Sequence, residues 1–269
     1  MTLTEAALDA AAAALRTAHD RGVPCPPVRD QLGIDGTDVA TGYAIQERNT
    51  AHWLGAGRRL VGRKIGLTSR AIQTQLGVDQ PDYGMLFADM VYSDAEPAPA
   101  GAVLQGRAEA EVAFVLGHDL SMEQPTLLDV MRAVDHALPA IEVAGSRVDA
   151  WNIRILDTVA DNASSGIFFL GTQPTRLADV DLRRCGMVMT RRGDPVSTGA
   201  GAACMGNPLT ATVWLARKMV EVGRPLLAGD VVLSGALGPM VGVSPGDVLE
   251  ARISGLGSVR AVFEPEASP

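Results

Sequence analysis

The chain has 269 residues, of which 47% are hydrophobic and 20% charged, with a net charge of −8. That length allows one large or two modest domains with a substantial core, and the acidic balance with no basic run argues against nucleic acid as a partner. No apolar stretch approaches the roughly 20 residues of a membrane span, and three scattered cysteines, Cys25, Cys185 and Cys204, suit a reducing compartment, so a soluble cytoplasmic protein is expected.

Residues 3–21 read as a helix. Leu3, Ala7, Leu8, Ala11, Ala14, Leu15 and Ala18 share one face, and Gly22 ends it. Glu5 and Asp9 interrupt the Ala-rich run and no basic residue precedes it, which is not a signal peptide's layout. Cys25-Pro26-Pro27 is an extended connector. Asp38 is a good N-cap for a second helix running to about Leu54. Leu60 to Ile65 starts as a strand, and Thr68 or Ser69 caps a helix through Leu76. Lys64 stands among apolar neighbours in that strand. Such a lysine usually snorkels to solvent, but one held in a closed site can stabilise an enolate or exchange a proton. Asp79 to Gly84 is a turn cluster, and its acids, Asp82 included, read most simply as turn formers. Met85 to Ala88 resumes apolar structure. Residues 94–102, rich in Pro, Gly and Ala, look like a linker. They divide the chain into a mainly helical portion, 1–98, and a second portion, 99–269.

The second portion opens on Glu109-Ala110-Glu111, followed by the apolar run Val112 to Leu116. Strand side chains alternate faces, so Glu109 and Glu111 project side by side. The commoner reading is the solvated face of an edge strand. The alternative is a hard divalent cation, since Mg²⁺ and Mn²⁺ favour oxygen ligands and would relieve the repulsion. Glu142, in the apolar run Leu138 to Val143, could supply a third ligand. Thr126 caps a helix predicted to reach His136. Residues 149–163 are amphipathic at first and end in a polar, small segment, Asp157 to Gly166. That loop can offer hydroxyls and backbone N–H groups to a ligand before the strand Ile167 to Leu170.

Beyond Gly171 the pattern is mainly β. Met187 to Thr190 and Val196 to Gly199 bracket the hairpin signal Arg191-Arg192-Gly193-Asp194. One helix interrupts, with Asn207 as cap, Pro208 at its first position and Gly223 past its end. Strands at Val231 to Leu233, Met240 to Val243, Val248 to Ile253 and Ser258 to Phe263 follow, with Gly turns that suggest a closed or rolled sheet. The dinucleotide fingerprint, the phosphate-binding loop and the nucleophile elbow are missing. His19, His52, His118 and His136 form no zinc spacing.

Six segments in order carry a resemblance. They are Gly62-Arg63-Lys64-Ile65-Gly66-Leu67-Thr68, Gln80 to Gly84, Glu109-Ala110-Glu111, Leu138 to Glu142, Asp157 to Ser164, and Ser234 to Met240. Together they resemble the 2-keto-4-pentenoate (2-hydroxypenta-2,4-dienoate) hydratases, in the hydratase/decarboxylase branch of the fumarylacetoacetate hydrolase superfamily. The likeness covers nearly the whole chain apart from roughly the first 35 residues and the tail. It implies an α+β fold, an N-terminal helical portion followed by a mixed β-roll. It implies Mg²⁺ or Mn²⁺ held by Glu109, Glu111 and Glu142, a catalytic Lys64 partnered by Asp82, and substrate contacts from Ser164 and the backbone near Leu86. It also implies a homo-oligomer and a small anionic 2-hydroxy-dienoate or 2-keto acid substrate, hydrated in the meta-cleavage degradation of aromatic compounds. The rival readings are a 4-oxalocrotonate-type decarboxylase with the same metal site, a C–C bond hydrolase, and a catalytically silent cation-binding protein.

Overall fold

The computed structural model describes residues 3–69, 73–74 and 78–266. The helix predicted from Thr68 through Leu76 lies largely outside the described residues. The first helix, α1 (Glu5–Arg21), begins where Thr4 Oγ1 accepts the Ala7 N–H, and stops at Gly22 in the left-handed region. Its buried face, Leu8, Ala11, Leu15 and Ala18, is the one its periodicity marks. A short helix α2 (Val28–Leu32) follows Pro27 and was not expected from the diproline connector. The third, α3 (Val39–Gly55), is capped by the Asp38 carboxylate on the Thr41 N–H. These helices share a small apolar core with Val148, Leu156 and Ala160. Among the described residues no helix is long and apolar enough to cross a membrane.

Among the described residues thirteen strands follow in chain order: β1 Leu60–Gly66, β2 Asp82–Phe87, β3 Val91–Ser93, β4 Pro97–Ala98, β5 Arg107–Leu116, β6 Val134–Ala144, β7 Ile167–Leu170, β8 Gly186–Arg191, β9 Asp194–Ala200, β10 Val231–Ala236, β11 Val241–Gly242, β12 Val248–Ile253 and β13 Gly257–Phe263. They build an eight-stranded sheet, β2-β1-β10-β5-β6-β7-β3 with β11 paired to β5, and a five-stranded sheet, β4-β13-β12-β8-β9. Both sheets are mixed: β1–β10, β3–β7 and β13–β4 run parallel and the other pairs antiparallel. Strands from before residue 98 pair with strands after it, β1 with β10 and β3 with β7. The larger core lies between the layers, with Phe87, Phe114, Phe168 and Phe169 fully buried. Phe169 of the first sheet meets Phe263 of the second edge to face at 5.8 Å.

Three sequence expectations are corrected. Asp82 is not in a turn; it opens β2 and is buried. The helix capped by Thr126 ends at Ala133, and His136 already belongs to β6. β5 is not an edge strand but lies between β10 and β6, so its glutamates do not form a solvated edge. The predicted hairpin at Arg191–Asp194 is present as β8–β9, and the helix Pro208–Glu221 carries Asn207 as its cap.

Candidate active site

The β5–β6 register explains how three acids meet. Glu109 pairs directly with Glu142, and Glu111 stands two residues along β5 on the same face. One carboxylate oxygen from each of Glu109, Glu111 and Glu142 lies within 4.8 Å of the others. Glu111 and Glu142 are buried, while Glu109 is partly exposed.

Lys64 reaches the same point from β1. Its Nζ lies 3.1 Å from Glu142 Oε1 and donates to the Ala163 carbonyl at 2.8 Å. In strand order β10 and β5 separate β1 from β6. A contact across two intervening strands requires the sheet to curl, in keeping with the mixed β-roll that the resemblance implies. Asp82 begins β2 opposite Gly66. A Cβ on Gly66 would sit 2.1 Å from Asp82 Oδ1 and 3.6 Å from Lys64 Nζ. Glycine there lets the carboxyl lie against the strand that carries the lysine.

The electrostatics follow from burial. Burial raises the Glu109 carboxyl to about 7, with the charge of Glu142 adding to the effect. Burial first, then Glu142 and Glu109, push Glu111 well above the ordinary carboxylate range. Burial raises Asp82 to about 6, opposed by the charge of Lys64. Burial alone would lower Lys64, but Glu142, Asp82, Glu109 and Glu111 outweigh it and hold the ammonium charged.

Four acids thus face a single ammonium, and their hydrogen bonding is incomplete. Glu111 Oε2 accepts the Gly235 N–H at 2.8 Å. Among the described residues Glu111 Oε1 and both Glu142 oxygens lack a directed hydrogen bond, the 3.1 Å approach of Lys64 being off that geometry. Buried carboxylate oxygens left open in this way are costly unless a cation meets them. A hard divalent ion fits this all-oxygen donor set. Gly235 has φ +108°, and a Cβ there would lie 2.4 Å from the Thr68 side chain, so this amide donor also depends on glycine.

Residues Asn162, Ala163 and Ser164 form a short turn with φ of +55°, +52° and +53°. Three successive non-glycine residues in the left-handed region cost about 1–3 kcal/mol each and persist only where the surroundings hold them. Two buried ion pairs do so. Arg29 binds Asp157 through its backbone N–H at 3.0 Å and through its guanidinium. Arg147 bonds Asp161 through its backbone at 2.9 Å and its Nη2 reaches the Asp161 carbonyl at 2.7 Å. These arginines were missed in the sequence, where each looks like an ordinary surface charge. Ser164 Oγ lies 3.0 Å from Thr158 Oγ1. Leu86 is buried in β2 on the face that Asp82 shares. The structure therefore gathers Lys64, Asp82, Glu109, Glu111 and Glu142 directly, with Ser164 beside the lysine's carbonyl acceptor and Leu86 further along β2.

A family model described as the fumarylacetoacetate (FAA) hydrolase C-terminal region matches residues 60–264. The chain belongs to this family. Its relatives place it in the hydratase branch, as a hydro-lyase. It is 58% identical over 97% of its length to the TodF product hydratase of Pseudomonas putida, covering 97% of that protein. It is 56% identical over 98% of its length to 2-keto-4-pentenoate hydratase 2 of Dechloromonas aromatica, covering 100% of it. Among solved structures, the 4-oxalocrotonate decarboxylase of Pseudomonas putida G7, complexed with magnesium and adipate, superposes with a TM-score of 0.92 at 34% identity, covering 97% of this chain and 99% of that one.

Proposed function

We propose that this hydratase adds water to 2-hydroxypenta-2,4-dienoate, giving 4-hydroxy-2-oxopentanoate, with Mg²⁺ or Mn²⁺ held by Glu109, Glu111 and Glu142. The observation that carries the reading is the meeting of three carboxylates with the Lys64 ammonium, in a chain more than half identical to hydratases named for this substrate. The magnesium in the related decarboxylase structure supports the same ion class. Such an ion supplies Lewis acidity, favouring the 2-keto tautomer and negative charge on the C2 oxygen.

The chain's own groups do the rest. Lys64, charged and fixed between Glu142 and the Ala163 carbonyl, attracts the substrate carboxylate and holds a proton at Nζ for ketonisation. Asp82, at about 6, titrates close to neutrality and sets the proton balance of that lysine. The Ser164 hydroxyl and the backbone near Leu86 orient the dienoate. Water then adds at C4. The same reading puts the enzyme in the meta-cleavage degradation of aromatic compounds, downstream of ring fission, and acting as a homo-oligomer.

Decarboxylation is the rival with a specific observation behind it, the 0.92 superposition on a decarboxylase. Identity favours hydration, at 56% against 34%. A C–C bond hydrolase would want a histidine base beside the metal ligands, and among the described residues the acidic cluster contains glutamates alone. The test is Glu109→Gln: hydration falls strongly while the fold persists. Unchanged turnover removes the metal argument, and CO₂ release from a vinylogous 2-keto diacid in place of dienoate hydration favours the decarboxylase.

A further inference from the structure

We propose that Asn162 is a positioning residue for Lys64, acting from the open edge of the main sheet; the inference rests on the hydratase reading above. β2 is the edge strand of that sheet. Alternate residues of an edge strand turn their N–H and C=O groups away from the neighbouring strand, and those groups need other partners. In β2 they are Tyr83, Met85 and Phe87. The Tyr83 carbonyl accepts Gln46 Nε2 at 2.9 Å, and the Phe87 N–H meets Met90 Sδ at 3.2 Å. Met85 is served at both groups by one side chain. Its N–H donates to Asn162 Oδ1 at 2.7 Å, and its carbonyl accepts Asn162 Nδ2 at 2.9 Å. The amide therefore pairs with Met85 as a residue of a further strand would.

The same asparagine opens the left-handed turn whose next residue, Ala163, supplies the carbonyl acceptor for Lys64 Nζ. The turn is seated on Gly84, where a Cβ would lie 2.3 Å from the Asn162 carbonyl oxygen. Gly84 is the register partner of Lys64. A closed circuit results: Lys64 pairs with Gly84 in the sheet, Asn162 clasps the adjacent Met85, and Ala163 returns to the lysine's ammonium. Asparagine suits the position on two counts. It tolerates the left-handed region better than most residues, and its amide carries both the donor and the acceptor that Met85 requires. Aspartate has no donor for the Met85 carbonyl, and glycine keeps the backbone conformation but loses the clasp.

The experiment compares wild-type enzyme with Asn162→Gly and Asn162→Asp. Dienoate hydration gives kcat and KM, Mn²⁺ titration gives metal affinity, and hydrogen–deuterium exchange follows the Met85 amide. A crystal structure of metal-free Asn162→Gly locates Lys64. The expected result is a kcat lowered about 10²-fold with KM and Mn²⁺ affinity within about threefold of wild type, as for a misplaced acid–base group. Exchange at Met85 accelerates, and Lys64 Nζ leaves the Ala163 carbonyl. Folded variants with kcat within twofold of wild type overturn the proposal. So does a fall in kcat that follows lost Mn²⁺ binding or lost fold in both variants. If wild type itself hydrates no dienoate, the functional reading fails instead. Exchange and the crystal structure then still judge the clasp, and a retained Lys64–Ala163 contact in Asn162→Gly refutes it.

Discussion

Glu109 and Glu142 stand directly opposite each other across the β5–β6 ladder, both acidic, with the buried Glu111 carboxylate on the same face. Like charges directly opposed destabilise a sheet. The arrangement is understandable if the cost is offset by a cation. Replacing Glu142 by Gln is predicted to weaken Mn²⁺ binding at least tenfold, measured by isothermal titration calorimetry. The metal-free melting temperature is expected to change little, because relief of the repulsion among the glutamates opposes loss of the buried pair with Lys64.

The raised carboxyl values make stability depend on pH in a definite direction. Glu109 rises from 4.5 to about 7 and Asp82 from 3.8 to about 6. The folded state therefore binds protons that the unfolded chain has released, and its added stability is full at low pH and lost as pH climbs through the folded values. For Asp82 alone this is on the order of 3 kcal/mol. Metal-free protein is predicted to lose stability between about pH 4 and 7, followed by chemical denaturation at fixed ionic strength. Saturating Mg²⁺ or Mn²⁺ is predicted to reverse the slope, because the ion binds the deprotonated carboxylates.

Lys64→Met removes the ammonium and leaves Glu142 and Asp82 without their cation. Hydration is expected to fall by about 10²–10⁴ in kcat. Mn²⁺ titration is expected to give one ion per chain still, since the three glutamates remain. Loss of ion binding together with turnover would instead make Lys64 a structural counter-ion.

Gly66→Ala tests the contact between β1 and Asp82. The new Cβ would lie 2.1 Å from Asp82 Oδ1, so the carboxyl must swing away from Lys64. kcat is predicted to drop at least tenfold with an unchanged circular dichroism spectrum. Activity near wild type would mean that Asp82 has no part in placing the lysine.

Much of this site was legible residue by residue, and less of it as geometry. The helices α1 and α3 and the side-by-side projection of Glu109 and Glu111 follow from local pattern, because capping and strand alternation act within a few residues. Local pattern alone, however, favours a solvated Glu-x-Glu face and a snorkelling Lys64, and their joint role comes from the order of the six segments. Asp82 was misread because Pro81 and Gly84 signal a turn locally, whereas pairing with β1 extends the chain there. The placing of Lys64 against Glu142 depends on a sheet curled across two intervening strands, which no local period encodes. Arg29, Arg147 and Asn162 were missed for the same reason. Their partners lie on other elements, and only the folded chain makes them buried.

The most direct measurement is the ultraviolet absorbance of 2-hydroxypenta-2,4-dienoate incubated with enzyme before and after EDTA treatment, with the product identified by NMR. The account predicts loss of the dienoate band with formation of 4-hydroxy-2-oxopentanoate, abolished by EDTA and restored by Mg²⁺ or Mn²⁺. Turnover indifferent to EDTA and to added metal would contradict it.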